Sequence, residues 1–255
     1  MHMKRFRTIS AYILSLVVIV AVWFIVARII DAPLILPSPV NVFSSAADLI
    51  QSPAFWRAFA HTFLRVVISF AITVLVGTVL GIGAGFSRFF RSFFELPLAI
   101  IRATPVVAFI LIALFWFKSG TVPVFVCVLM TLPIMTTAVA NGFSKSDEKL
   151  LGMAKVFNLN RRQIFRYIQL PSLVPFFLNG MVSSFGLSWK VVAAGEVLSL
   201  PKYAVGTMLQ KAQIHLETST VMAVAILLVV VSFLLEQFFM LAVKLLLKKS
   251  GGRYE

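Results

Sequence analysis

One stretch of this chain, Asp147 to Pro171 (DEKLLGMAKVFNLNRRQIFRYIQLP), limits what the rest can fold into. It carries Lys149, Lys155, Arg161, Arg162 and Arg166 between two long apolar runs. Each charge buried at the centre of a bilayer costs roughly 2.5–3.5 kcal/mol on insertion scales. The stretch must therefore stand in water while its flanks cross the membrane. Its pattern predicts two short helices meeting at a bend. Ser146 is placed to cap the first, with Asp147 and Glu148 at its positive end and Leu150, Met153, Ala154 and Phe157 at helical spacing. Asn158-Leu159-Asn160 breaks the pattern, because Asn tolerates left-handed backbone and competes for local hydrogen bonds. Asn160 followed by Gln163 predicts a capping box opening a second helix that stops at Pro171.

Composition agrees with a polytopic membrane protein. Of 255 residues, 60% are hydrophobic and only 13% are charged, about half the charged share of a soluble domain. A single cysteine, Cys127, excludes an intrachain disulfide, and His2, His61 and His215 are too scattered to form a metal site. The net charge of +14 would suit nucleic acid, but its distribution argues against that partner. Fifteen of the 23 basic residues fall in one set of loops and ends: Lys4 to Arg7, Arg88 and Arg91, Lys145 to Arg166, and Lys244 to Arg253. The alternate loops hold only Arg28, Arg57, Lys118, Lys202 and Lys211. By the positive-inside rule both termini and the 147–171 stretch face the cytoplasm.

The apolar runs predict six spans, about 10–30, 62–86, 97–117, 122–142, 172–198 and 219–247, with a cytoplasmic loop at 143–171. The first exceeds the 7–15 apolar residues or so of a signal peptide and is expected to be retained. Leu36-Pro37-Ser38-Pro39 starts an amphipathic helix on the opposite membrane surface, bearing Val42, Phe43, Ala46, Leu49 and Ile50. Ser52-Pro53 starts another helix that continues unbroken into the second span. There Gly77, Gly81 and Gly85 form a smooth strip suited to close helix packing. The neighbouring Gly81-Ile82-Gly83-Ala84-Gly85 lacks the strand and acidic partner of a dinucleotide site. Ser87 to Glu95 reads as a short cytoplasmic turn, and Pro133 as a kink. Arg102 either snorkels to the inner surface or faces the bundle.

Lys190 and Glu196 are intramembrane charges six residues apart, about 240° around a helix, so they do not pair with each other. Two placements fit them. They line a translocation path, where Lys190 would favour an anion, or they lie near the span ends against headgroups or neighbouring loops.

The 147–171 stretch resembles the cytoplasmic coupling loop of ABC importer permeases, in which Glu-Ala-Ala, three residues, Gly, nine residues and Ile-x-Leu-Pro follow in order. Ile168-Gln169-Leu170-Pro171 matches the last element, Asn158 takes the glycine position, and Gly152-Met153-Ala154 takes the first triplet, of which only the final alanine is kept. Ile101-Arg102-Ala103-Thr104-Pro105, Leu132-Pro133-Ile134 and Ala193-Ala194-Gly195-Glu196 are similar to permeases of the nitrate, sulfonate and taurine group, and the likeness runs over about 36–244. It implies an all-α type I permease fold with its core at about 56–244. It also implies a multi-pass subunit of the bacterial inner membrane, working as a homodimer in lipid with two cytoplasmic ATPase subunits and an external binding protein. Ala154, Phe157, Asn158, Leu159, Asn160 and Arg161 would dock the ATPase.

No Gly-x4-Gly-Lys-Ser/Thr motif occurs, so this chain is expected to bind no nucleotide by the P-loop route, with ATP and Mg used by the partner. Nor is there a catalytic constellation: Glu236 and the histidines stand alone. A gradient-driven secondary transporter is the alternative, and it would show paired broken helices and internal hydropathy repeats.

Overall fold

The computed structural model describes residues 2–144 and 148–249, all helical or in short connections. In order these are α1 (His2–Ile30), α2 (Pro39–Gln51), α3 (Pro53–Phe86), α4 (Arg88–Ala103), α5 (Val106–Ala113), α6 (Val122–Ser144), α7 (Glu148–Val156), α8 (Arg161–Ile164), α9 (Leu170–Ser199), α10 (Val205–Ile214) and α11 (Thr218–Lys249). A π-helical turn, Phe165–Gln169, joins α8 to α9. The expected cap Ser146-Asp147 lies outside the described residues.

Among the described residues, four helical rods are long and apolar enough to cross a bilayer: 53–86, 122–144, 161–199 and 218–245. An apolar helix at Leu14–Ile30 accompanies them. The segment expected as one straight span, 97–117, is instead two helices: α4 and α5 meet at 97°. The break falls at Thr104-Pro105, where proline cannot donate to Ile101 and forces the residue before it out of helical backbone (Thr104 ψ 131). Residues 88–95, expected as a turn, form the first half of α4, capped by the Ser87 hydroxyl accepting from the Phe90 amide.

Close packing against α6 organises the bundle. A Cβ added to Gly77 would lie 2.7 Å from Met135 Cβ; at Gly81, 2.5 Å from Val139 Cβ; and at Gly85, 2.6 Å from Phe143 Cδ2. Both partners advance by four residues in the same direction, so α3 and α6 run parallel. On the other flank, Gly180 meets Ala138, Gly195 meets Pro123, and Gly142 meets Leu173, so α9 runs antiparallel to α6. Small residues let backbones approach where lipid supplies no hydrophobic drive between helices.

The parallel pairing has a topological consequence. The chain leaves α3 at one face and enters α6 at the other, so the bent α4–α5 pair must carry it back across. The ends of α3 and α6, the 148–169 region and the end of α11 then share one face. The opposite face holds α2, the start of α3, the 118–121 turn and α10, with Val42 and Ala46 packed on Ala223, and Ala58 and Val205 on Val224.

A leucine at Gly81 has no room between Val139 and the Thr136 carbonyl, 2.9 Å from the added Cβ. Gly81→Leu is expected to cost about 1–3 kcal/mol by overpacking. Gly152→Ala meets nothing within 4 Å and, inside α7, should stabilise by up to about 1 kcal/mol. Thermal melts of the detergent-solubilised protein will separate the two.

Candidate functional site

Two constructions stand at opposite faces. At the first, α7 ends in a left-handed cap: Asn158 has φ 51, Leu159 N–H donates to the Ala154 carbonyl at 2.9 Å, and Phe157 N–H donates to Met153 at 3.0 Å. The pattern is a Schellman-type stop. Two residues later the expected capping box is formed. Asn160 Oδ1 accepts from the Gln163 amide at 2.9 Å, and Gln163 Oε1 accepts from the Asn160 amide at 2.8 Å. The bend is thus hydrogen-bonded from both sides.

Pro171 does not stop the second helix. It sits in the first turn of α9, and α8, the π turn and α9 form one rod over 161–199. The π turn makes room for the proline. Leu170 N–H donates five residues back to Phe165, and Ser172 Oγ caps the Ile168 carbonyl at 2.8 Å. The base of the knob is held by Phe165, whose ring stacks on Phe143 and tilts against Phe86. Any load on the knob therefore reaches the ends of α3, α6 and α9.

The knob exposes apolar side chains. Met153 is 54% exposed, Val156 78% and Phe157 71%, and Asn158, Asn160 and Arg161 are exposed beside them. Leu159 is half-buried. Ala154, expected among the docking residues, is 1% exposed and packs inside the knob.

At the opposite face lies a buried polar junction. Glu196, near the end of α9, is fully buried. Arg65 Nη1 donates to its Oε1 at 2.7 Å and to the Tyr203 carbonyl at 2.9 Å. Thr62 Oγ1 donates to Oε2 at 2.9 Å, and the Gly206 amide donates to the same oxygen at 3.2 Å. Thr62 in turn accepts from the Val205 amide at 3.0 Å. The carboxylate thus ties α3 and α9 to the N-terminus of α10, whose free amides favour negative charge. Gly206 allows this approach, since its Cβ would fall 2.6 Å from Glu196 Cβ.

Glu196 therefore faces no open space and is enclosed by α3 and the start of α10. Lys190 is exposed on α9. One turn earlier Gly186 packs on Glu236 of α11, where a Cβ would lie 2.7 Å from Oε1. Arg65 and Thr62 were missed as partners of Glu196. The available signal was economy: Arg65 is a span cation needing an acid, and the spans offer few.

Fold and site together define an all-helical, multi-pass membrane protein with a rigid knob on one face and a locked junction on the other. The chain belongs to the family described as binding-protein-dependent transport system inner membrane component, whose model matches residues 74–249. It is thus a transport subunit of the inner membrane and not an enzyme. It is 25% identical over 238 residues to the taurine transport system permease protein TauC of Escherichia coli K12, covering 90% of this chain and 86% of that protein. It is 26% identical over 248 residues to the putative aliphatic sulfonates transport permease protein SsuC of Bacillus subtilis 168, covering 96% and 89%. With the nitrate import permease protein NrtB of a Synechocystis strain it shares 29% over 177 residues, covering 64% and 63%. Among solved structures, an amino acid ABC transporter with histidines superposes with TM-score 0.60 at 14% identity, covering 75% of this chain and 93% of that one. The MetNI methionine ABC transporter, inward facing, gives 0.56 at 18% identity, covering 74% and 92%.

Arg65→Met leaves the Glu196 carboxylate buried without its cation and is expected to destabilise by about 3–5 kcal/mol. The Arg65→Met/Glu196→Gln double variant should recover most of that loss. Unfolding midpoints of the four proteins in mild detergent measure the coupling; additive losses would show that the pair is not energetically linked.

Proposed function

We propose that this chain is the permease subunit of an ATP-driven importer for a small sulfonate, taurine-like or nitrate-like anion delivered by an external binding protein. Two copies form the path, and each rests on a cytoplasmic ATPase subunit through its knob. The observation that carries this reading is the exposed apolar face of the knob. Met153, Val156 and Phe157 lie open on a segment too charged to enter lipid, beside Asn158, Asn160 and Arg161, and exposed patches of this kind mark interaction sites. Family membership, and relatives whose names specify taurine, sulfonate and nitrate transport, support the substrate class.

The mechanism is mechanical. The face bearing the knob and most of the basic residues is cytoplasmic, in keeping with the charge bias. When ATP draws the two ATPase subunits together, the docked knobs follow. The rod over 161–199 has no break between knob and bundle, so the motion reaches the far end of α9, where Glu196 grips α3 and α10. The bundles rock from inward-facing to outward-facing, and hydrolysis resets them. Lys190, exposed on α9, is the cation we place on the path.

Tagged protein drawn from its membranes in mild detergent is expected to bring an ATPase subunit at one copy per permease. Phe157→Ala/Arg161→Glu should lose that subunit and substrate-stimulated ATP hydrolysis while still inserting normally. Transport driven by a proton or sodium gradient with no ATPase attached would replace this reading with the secondary-transporter one. Lys190→Met should lower anion uptake by about tenfold; unchanged uptake would remove Lys190 from the path.

A further inference from the structure

Arg65 and Glu196 answer each other at the far face. Lys190 on α9 and Glu236 on α11 lie nearer the middle of their helices, and neither makes a hydrogen bond or ion pair among the described residues, where Arg65–Glu196 is the one salt bridge. Charge at that depth is costly unless it faces water or a partner. What surrounds the two groups therefore decides their use.

Lys190 belongs to a polar stripe. Asn179, Ser183 and Lys190 recur at i, i+4 and i+11, close to whole helical turns, and all three are exposed along one face of α9. A row of amide, hydroxyl and ammonium does not suit acyl chains; it suits the wall of a water-filled path. Glu236, half-buried, reaches the rim of this stripe from the neighbouring helix. Its carboxylate lies over Gly186, where an added Cβ would come 2.7 Å from Oε1 and 3.0 Å from Oε2. The missing side chain is what admits it. Lys190 is one turn beyond Gly186, about 40° around the helix and about 6 Å along it, and a helical side chain leans back over the turn before its own Cα. The ammonium and the carboxylate thus border one patch of the stripe without closing on each other.

A plain anion would use only one of these charges and be repelled by the other. A small zwitterion uses both, its acid group toward Lys190 and its ammonium toward Glu236, each through a charge-assisted hydrogen bond. We infer, resting on the importer reading with Lys190 on its path, that the path selects a small zwitterion of the aminoalkanesulfonate class and that Glu236 recognises the ammonium group. The same carboxylate discriminates against simple anions by like-charge repulsion.

The test uses the permease with its co-purifying ATPase subunits in nanodiscs, with no binding protein added. Its probes are taurine and isethionate, in which a hydroxyl replaces the ammonium of taurine. Taurine is expected to raise the melting temperature saturably, with an apparent affinity about tenfold better than that of isethionate. Glu236→Gln should bring taurine down to the isethionate level and leave isethionate unchanged or improved, whereas Lys190→Met should weaken both. Gly186→Ala, which pushes the carboxylate aside without removing it, should narrow the preference, and Glu236→Asp should keep part of it. Melting without ligand reports on folding: a Glu236→Gln protein that melts low yet keeps the advantage of taurine would show a structural carboxylate and overturn the inference. Equal affinities for the two probes in wild type, or no response to either, overturn it as well. Such a failure with the ATPase attached leaves the importer reading standing. Gradient-driven uptake with no ATPase would strike that reading, while a Glu236-dependent preference for taurine would remain.

Discussion

Helix α6 is the member on which the rest depends, because it is approached at backbone distance from both flanks. Glycines supply the room: three on α3 face Met135, Val139 and Phe143, and two on α9 face Ala138 and Pro123. In lipid, where apolar side chains have no preference for each other over acyl chains, such contact is the main source of helix association. The parallel sense of one flank and the antiparallel sense of the other then decide the rest of the topology. They force the α4–α5 pair to cross, set the knob at the joint ends of α3, α6 and α9, and bring the start of α3 beside the end of α9.

The bundle treats charge in distinct ways, each suited to a task. At the far face the half-buried Arg65 meets the buried Glu196 with every carboxylate oxygen occupied, an arrangement that holds geometry more than it adds stability. Near the knob face, Arg91, Glu95 and Arg102 line a cleft between α4 and α6, and all three are exposed. On the knob, charge surrounds exposed apolar groups and keeps them out of lipid. The rod over 161–199 connects these places mechanically, through a π turn that accommodates Pro171.

Much of the local structure was legible in residue order. The bend at Asn158, the Asn160–Gln163 capping box and the Ser38 cap with Pro39 in the first turn rest on contacts within four or five residues. The glycine spacing likewise announced one smooth face of α3. Proline was the less reliable guide. Pro105, inside a span expected to be continuous, breaks it, and Pro171, expected to end the knob's second helix, does not. The difference is where the displaced hydrogen bond can go: a widened turn absorbs it before Pro171, while at Thr104 the chain changes direction.

The sequence by itself determined that this is a helical membrane protein with one charged, bent segment held in water, because burying charge and leaving backbone unpaired in lipid are both prohibitively costly. Only the tertiary structure decided which partners those rules select. Arg65 and Glu196 lie 131 positions apart, and nothing local joins them; α3 and α9 meet because both pack on α6. The cleft is likewise invisible in order, since α4 and α6 come together only after the chain has turned through 97°. Ala154 is turned inward by the same packing that leaves Phe157 exposed. Helix periodicity specifies a face, and what that face meets depends on the neighbour that covers it.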